Sequence, residues 1–173
     1  MSGTIPALIE PRRLADRGIV LKGAVPGTGM LRLNALLETP VEQVQVELSF
    51  TRDPMGLCTM HGHYQVDVTL ICQRCLEPAV LGLDAECDVG FVVSDEAAKN
   101  LPRNYEPVIL DDEALDLHEL IEDELLLALP AVPMHPMGTC QHPPGYQPDE
   151  AEPEEEAEKP NPFSVLAKLK RDT

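Results

Sequence analysis

Ala79-Val80-Leu81-Gly82-Leu83-Asp84-Ala85-Glu86-Cys87-Asp88-Val89-Gly90-Phe91-Val92-Val93 is the stretch that decides the fold. Every odd position is apolar, and Asp84, Glu86 and Asp88 stand opposite. Successive side chains of a strand point to opposite faces, so this alternation predicts a long strand, bent at Gly82, with one dry face and one wet face. The same period appears upstream. Val44, Val46, Leu48 and Phe50 alternate with Gln45, Glu47 and Ser49, and Tyr64, Val66, Val68 and Leu70 with Gln65, Asp67 and Thr69. Three such strands in succession predict an antiparallel sheet, solvated on one side.

The period changes downstream. Asp116 is placed to cap a helix, with Glu119 three residues on. Leu117, Leu120, Ile121 and Leu125 form a stripe at helical spacing, and Leu126 to Leu129 are apolar all round, which predicts a buried helix end. Pro130 stops it. Met30 to Leu37 suggests a further short helix. The expected fold class is α+β: an antiparallel β-sheet, as a sandwich or partly open barrel, with one main helix packed on it. Leu120, Leu127, Val68, Phe91 and Leu83 are expected in the core.

Composition bounds the rest. The chain has 173 residues, 43% of them apolar, with 3% aromatic and no Trp, so the core rests on Val, Leu and Ile. Pro130 to Pro162 is rich in proline, and with Glu154, Glu155 and Glu156 inside it the later part is expected to be extended and solvated. The expected organisation is one α+β domain over residues 1–147, an acidic linker over 148–160, and a short carboxyl-terminal amphipathic helix over 161–173. In that helix Asn161 caps, Pro162 takes the first position, and Phe163, Leu166 and Leu169 share a face. It reads either as docked on its own domain or as a tethered recognition helix.

The net charge is −17, and its distribution is uneven. Residues 1–104 carry −4, residues 105–158 carry 16 carboxylates and no Lys or Arg, and residues 159–173 carry +3. Capture of a phosphate backbone needs Lys and Arg to displace counterions, and no basic surface of that size is present. No run approaches the length of a membrane span, and Met1 to Gly18 lacks the apolar stretch of a signal peptide. Five cysteines with no sign of secretion read as reduced cytoplasmic thiols.

Cys72-Gln73-Arg74-Cys75 is the sharpest motif. It falls between two strands, at a hairpin tip. Two thiolates at that spacing can share a tetrahedral zinc, and His135, Cys140 and His142 are the late candidates to complete it. The set Cys72, Cys75, His135 and Cys140 is chemically acceptable for one structural zinc. Ordinary reduced cysteines near a turn explain the motif as well. Redox chemistry explains it poorly, because Leu76-Glu77-Pro78 opens no helix that would lower a thiol pKa. Cys87 reads as a core residue, and Cys58 has no evident partner. His61 and His63 flank Gly62 in what reads as a turn; they could bind metal, but a polar turn explains them equally well. Glu119, Glu122, Asp123 and Glu124 read as a solvated helix face. No phosphate loop, serine elbow or catalytic Cys–His pair is visible, so an enzyme is not expected, nor a small-molecule substrate.

Cys72-Gln73-Arg74-Cys75, Leu101-Pro102-Arg103-Asn104-Tyr105-Glu106-Pro107, Ile121-Glu122-Asp123-Glu124-Leu125-Leu126-Leu127-Ala128-Leu129-Pro130 and Lys159-Pro160-Asn161-Pro162-Phe163 resemble the YceD family, the large ribosomal RNA subunit accumulation proteins. The resemblance covers most of residues 60–173 and is loose over the first 55. It implies a cytoplasmic role in synthesis, processing or stability of large-subunit ribosomal RNA, and it carries no catalytic residue. Taken with the charge, it implies an acidic adaptor whose partner is a basic ribosomal protein or an rRNA-processing factor, with contact to the RNA itself indirect. Glu154, Glu155, Glu156, Glu158, Phe163, Leu166 and Leu169 are the expected partner-binding residues. A direct RNA-binding module, using the Arg74 and Arg103 neighbourhoods or the basic terminal helix, is the alternative. A zinc-binding or redox-sensing protein stands outside both.

Overall fold

A computed structural model describes residues 3–110 and 114–140. The expected linker, the expected terminal helix, and Glu154, Glu155, Glu156, Glu158, Phe163, Leu166 and Leu169 lie outside them.

In chain order the elements begin with β1 (Gly3–Thr4), β2 (Leu8–Ile9), α1 (Pro11–Asp16), β3 (Val20–Pro26) and α2 (Leu31–Asn34). Then come the three long strands β4 (Gln43–Arg52), β5 (Cys58–Ile71) and β6 (Pro78–Val92). They are followed by α3 (Asp95–Lys99), β7 (Glu106–Ile109), β8 (Leu115–Asp116) and α4 (Leu117–Ala128). The main sheet runs β1-β3-β4-β5-β6-β7. Its four central strands are antiparallel, as their alternation predicts.

The two ends correct the all-antiparallel expectation. β1 pairs parallel with β3, and β7 pairs parallel with β6, so the sheet is mixed. A parallel return needs a crossover, and the polar stretch from Ser94 to Tyr105 supplies it: Ser94 caps α3 through its side chain, and the chain comes back as β7. A second packed sheet is not formed by the described residues; the other ladder is the two-residue pair β2–β8.

α4 packs against β6 and α2. Its cap is as expected: Asp116 Oδ1 accepts from the N–H groups of His118 at 2.9 Å and Glu119 at 3.1 Å. Leu117, Leu120, Ile121 and Leu125 are buried in one core with Val44, Leu48, Phe50, Met60, Tyr64, Val68, Leu83, Val89 and Phe91. The expectation for Leu127 is corrected, because its side chain is 75% exposed. Two residues along a helix are about 200° of rotation, so Leu127 points away from the sheet that buries Leu125. The final turn is not buried on all sides.

Two further expectations fail on the same grounds of packing. His61 and His63 lie inside β5, not in a turn; the turn is at Asp53–Gly56, closed by Asp53 Oδ1 accepting from the N–H groups of Met55 and Leu57. Gly62 looks like a turn residue, but it serves the core: a side chain there would collide with the Tyr64 hydroxyl and touch the Cys87 sulfur. Glu122 is not on a solvated face either. It is buried, and its carboxylate accepts from the backbone N–H groups of Arg32 at 2.7 Å and Leu33 at 3.0 Å and from Arg32 Nε at 2.9 Å. One carboxylate thereby caps the first turn of α2 and ties it to α4.

Candidate metal centre

The register of β5 and β6 pairs Ile71 with Pro78, leaving Cys72 to Glu77 as a six-residue knuckle at the hairpin tip. Leu76 N–H donates to the Cys72 carbonyl at 2.9 Å, and Cys72 N–H donates to the Glu77 carbonyl at 3.0 Å. Leu76 adopts φ 63°, a left-handed conformation that a leucine takes only where its surroundings require it. Closing the knuckle this tightly buries Cys72 and Cys75 against Ala79, in a small core separate from the main one.

The chain returns to this tip after α4. Leu129 is extended, as the residue before a proline should be, and the strap that follows docks through Gln73 N–H on the Pro133 carbonyl at 2.9 Å. Pro136 to Thr139 then make a turn, with Thr139 N–H donating to the Pro136 carbonyl at 3.3 Å and Gly138 at φ 81° in its third position. That position wants a positive φ, which glycine adopts without strain. The turn folds Cys140 back beside His135.

Cys72, Cys75, His135 and Cys140 therefore meet, with their ligand atoms all within 4.8 Å of one another. Cys72 Sγ lies 3.6 Å from Cys140 Sγ, while His135 Nδ1 lies 3.4 Å from Cys75 Sγ and 3.6 Å from Cys140 Sγ. Ligands about 2.3 Å (sulfur) and 2.0 Å (nitrogen) from a tetrahedral ion sit roughly 3.5–4 Å apart. The cluster could hold a metal ion of that kind. His135 Nε2 lies 3.1 Å from the Pro78 carbonyl, which can accept only from a protonated nitrogen. That contact leaves the Nδ1 lone pair facing the sulfurs, the arrangement usual for a ligating histidine.

Two thiols of the cluster are shifted in opposite directions. Burial raises the Cys72 thiol, but N–H groups of Cys75, His135 and Arg74, together with the His135 ring, outweigh it and bring it down to about 5. The N–H of Glu77 lowers Cys75, yet burial and the neighbouring Cys140 and Cys72 sulfurs leave it raised. Cys87 contrasts with both. Burial pushes its thiol up to about 11, and its sulfur sits 3.2 Å from the Tyr64 hydroxyl, so it is a core residue as expected. Cys58 is buried and raised by burial too. His142 lies outside the described residues.

The sequence offered Arg74 only as an alternative RNA contact, and its place at the cysteine cluster was missed. Its Nε lies 3.0 Å from Cys140 Sγ, and its Nη2 reaches the carbonyls of His135 at 3.2 Å and Pro136 at 3.4 Å. Its place between the two cysteines of the motif was the available signal.

The fold and site define an α+β protein whose central hairpin is knit at its tip to the strap following its main helix by a Cys3His cluster. The family model described as large ribosomal RNA subunit accumulation protein YceD matches residues 60–170, and the chain belongs to that family. A curated protein of Haemophilus influenzae, named large ribosomal RNA subunit accumulation protein YceD, is 39% identical over 168 residues, covering 96% of this chain and 97% of that protein. No solved structure matches the chain. No helix among the described residues is long and apolar enough to cross a membrane.

Proposed function

We propose that this protein acts in the cytoplasm to let large-subunit ribosomal RNA accumulate, as a non-catalytic acidic adaptor for a basic protein partner. The observation that carries the role is the relative in Haemophilus influenzae, which bears that function in its name and aligns over nearly the whole of both chains. The adaptor mechanism rests on charge. A segment with 16 carboxylates and no Lys or Arg between residues 105 and 158 repels RNA but attracts a basic ribosomal protein or processing factor. Arg74 adds support, because its contacts with Cys140 and the His135 carbonyl give its guanidinium a role at the cysteine cluster that needs no RNA.

The Cys3His cluster holds one structural zinc in this reading. Zinc suits three thiolates and an imidazole at tetrahedral spacing, and a set of four protein ligands leaves no open position for chemistry. The ion joins the strap at residues 130–140 to the hairpin tip, a job that a protein with so few aromatic residues would otherwise give to a larger apolar contact.

The test of the role is genetic. Cells lacking the protein should show a lower ratio of large-subunit to small-subunit ribosomal RNA, restored by the wild-type chain. An unchanged ratio would refute it.

A further inference from the structure

We propose that Arg74 is the counter-ion of the metal centre and sets how tightly the centre holds its ion. The inference rests on the reading that the cluster binds zinc. A divalent ion with three thiolates and a neutral imidazole carries one net negative charge. Cys72 and Cys75 bring two of those thiolates into a buried site, where an uncompensated charge is costly. The chain is already at −17, so the surroundings do not supply the missing positive charge by default.

Arg74 supplies it at the right place. Cys140 is the least buried of the three cysteines and belongs to the strap rather than the knuckle. The guanidinium reaches across from the knuckle to that sulfur at 3.0 Å and to two carbonyls of the strap, those of His135 and Pro136. A planar fork of fixed donors can make these contacts at once, whereas an ammonium can neutralise the charge without spanning them. The hydrogen bond also lowers the basicity of the Cys140 thiolate, which disfavours its protonation and so opposes release of the least buried ligand.

The test uses the full chain and zinc itself. Competition against a chromophoric chelator should show Arg74→Gln releasing zinc about 10–100-fold more readily than wild type, as outer partners of ligands generally do. Arg74→Lys should fall between them. Gln73→Ala is the control on the same turn, since among the described residues the Gln73 side chain bonds only the Ile71 carbonyl; it should stay within about twofold of wild type. Cobalt-loaded Arg74→Gln should keep the charge-transfer intensity of three thiolates, with the band shifted because one sulfur has lost its hydrogen bond. Retention of zinc by Arg74→Gln to within about twofold, or an unshifted cobalt band, would overturn the assignment. A wild-type chain that binds no zinc would overturn the metal reading beneath it, and the two failures are separable because the second appears in the parent protein.

Discussion

His135 Nδ1 lies 3.4 Å from Cys75 Sγ although 60 residues separate them in the chain. Between them run β6, α3, β7, β8 and α4, so the contact depends on how all of these elements are placed. The cluster therefore reports on the fold.

Protein purified without chelator should contain about one zinc per chain, and Cys75→Ser or Cys140→Ser should lose it. The small core of Cys72, Cys75 and Ala79 is separate from the main one. Stripping the ion should consequently expose residues 130–140 to protease while the sheet keeps its far-ultraviolet signal. Full unfolding on chelation, or no change in cleavage, would contradict the picture of a local clasp.

Leu125→Ala should cost roughly 2–5 kcal/mol, as truncation of a fully buried leucine does. Leu127→Ala, two residues on and largely exposed, should cost less than about 0.5 kcal/mol. Denaturant unfolding of the pair measures which face of α4 meets the sheet.

Glu122→Ala should cost about 3 kcal/mol or more, because it leaves the N–H groups of Arg32 and Leu33 without their acceptor. The pH dependence follows with a definite sign. Burial raises the Glu122 carboxyl, but the N–H of Leu33 and the Arg32 guanidinium and N–H outweigh it and hold it below its ordinary 4.5. A depressed folded pKa contributes stability that is complete above the unfolded value and is lost as pH falls through the folded one. Wild type should thus lose this contribution below pH 4.5, while Glu122→Gln should be flatter over that range. Equal acid sensitivity of the two proteins would show that the carboxylate is not the group concerned.

Neutralising Glu154, Glu155, Glu156 and Glu158 to Gln should leave the unfolding midpoint unchanged and weaken binding to a basic partner. Asp149 to Glu158 holds seven carboxylates in ten positions, and the loss should shrink as salt is raised, since screening already removes that attraction. Binding to naked ribosomal RNA should stay level or improve. A loss of RNA affinity with protein binding intact would reverse the account.

How much of this was legible depends on the range of the interaction. β6 and α4 are written locally, in a period of two and a stripe at 3.6, and both form where their residues predict. The outer strands β1 and β7 carry two and four residues, too few to show a period, and nothing local announces parallel pairing. Glu122 looked like its acidic neighbours because the partner that buries it, Arg32, is 90 residues away. Gly62 looked like a turn because the ring that requires a glycine, Tyr64, is seen only after the strand is folded. The cysteine centre was half legible. The Cys72–Cys75 motif and the late His135, Cys140 and His142 offered candidate ligands, but only the Pro136–Thr139 turn and the docking of Gln73 on Pro133 show how the strap reaches the hairpin.

The central claim is that the protein reaches ribosomal RNA through a basic protein. The most direct measurement is affinity capture of the tagged chain from cell extract, with and without nuclease, followed by identification of what remains. The account predicts that a basic large-subunit protein or rRNA-processing factor stays bound after nuclease and is released by salt. Loss of every protein partner on nuclease treatment, with purified chain still binding naked large-subunit RNA, would contradict it.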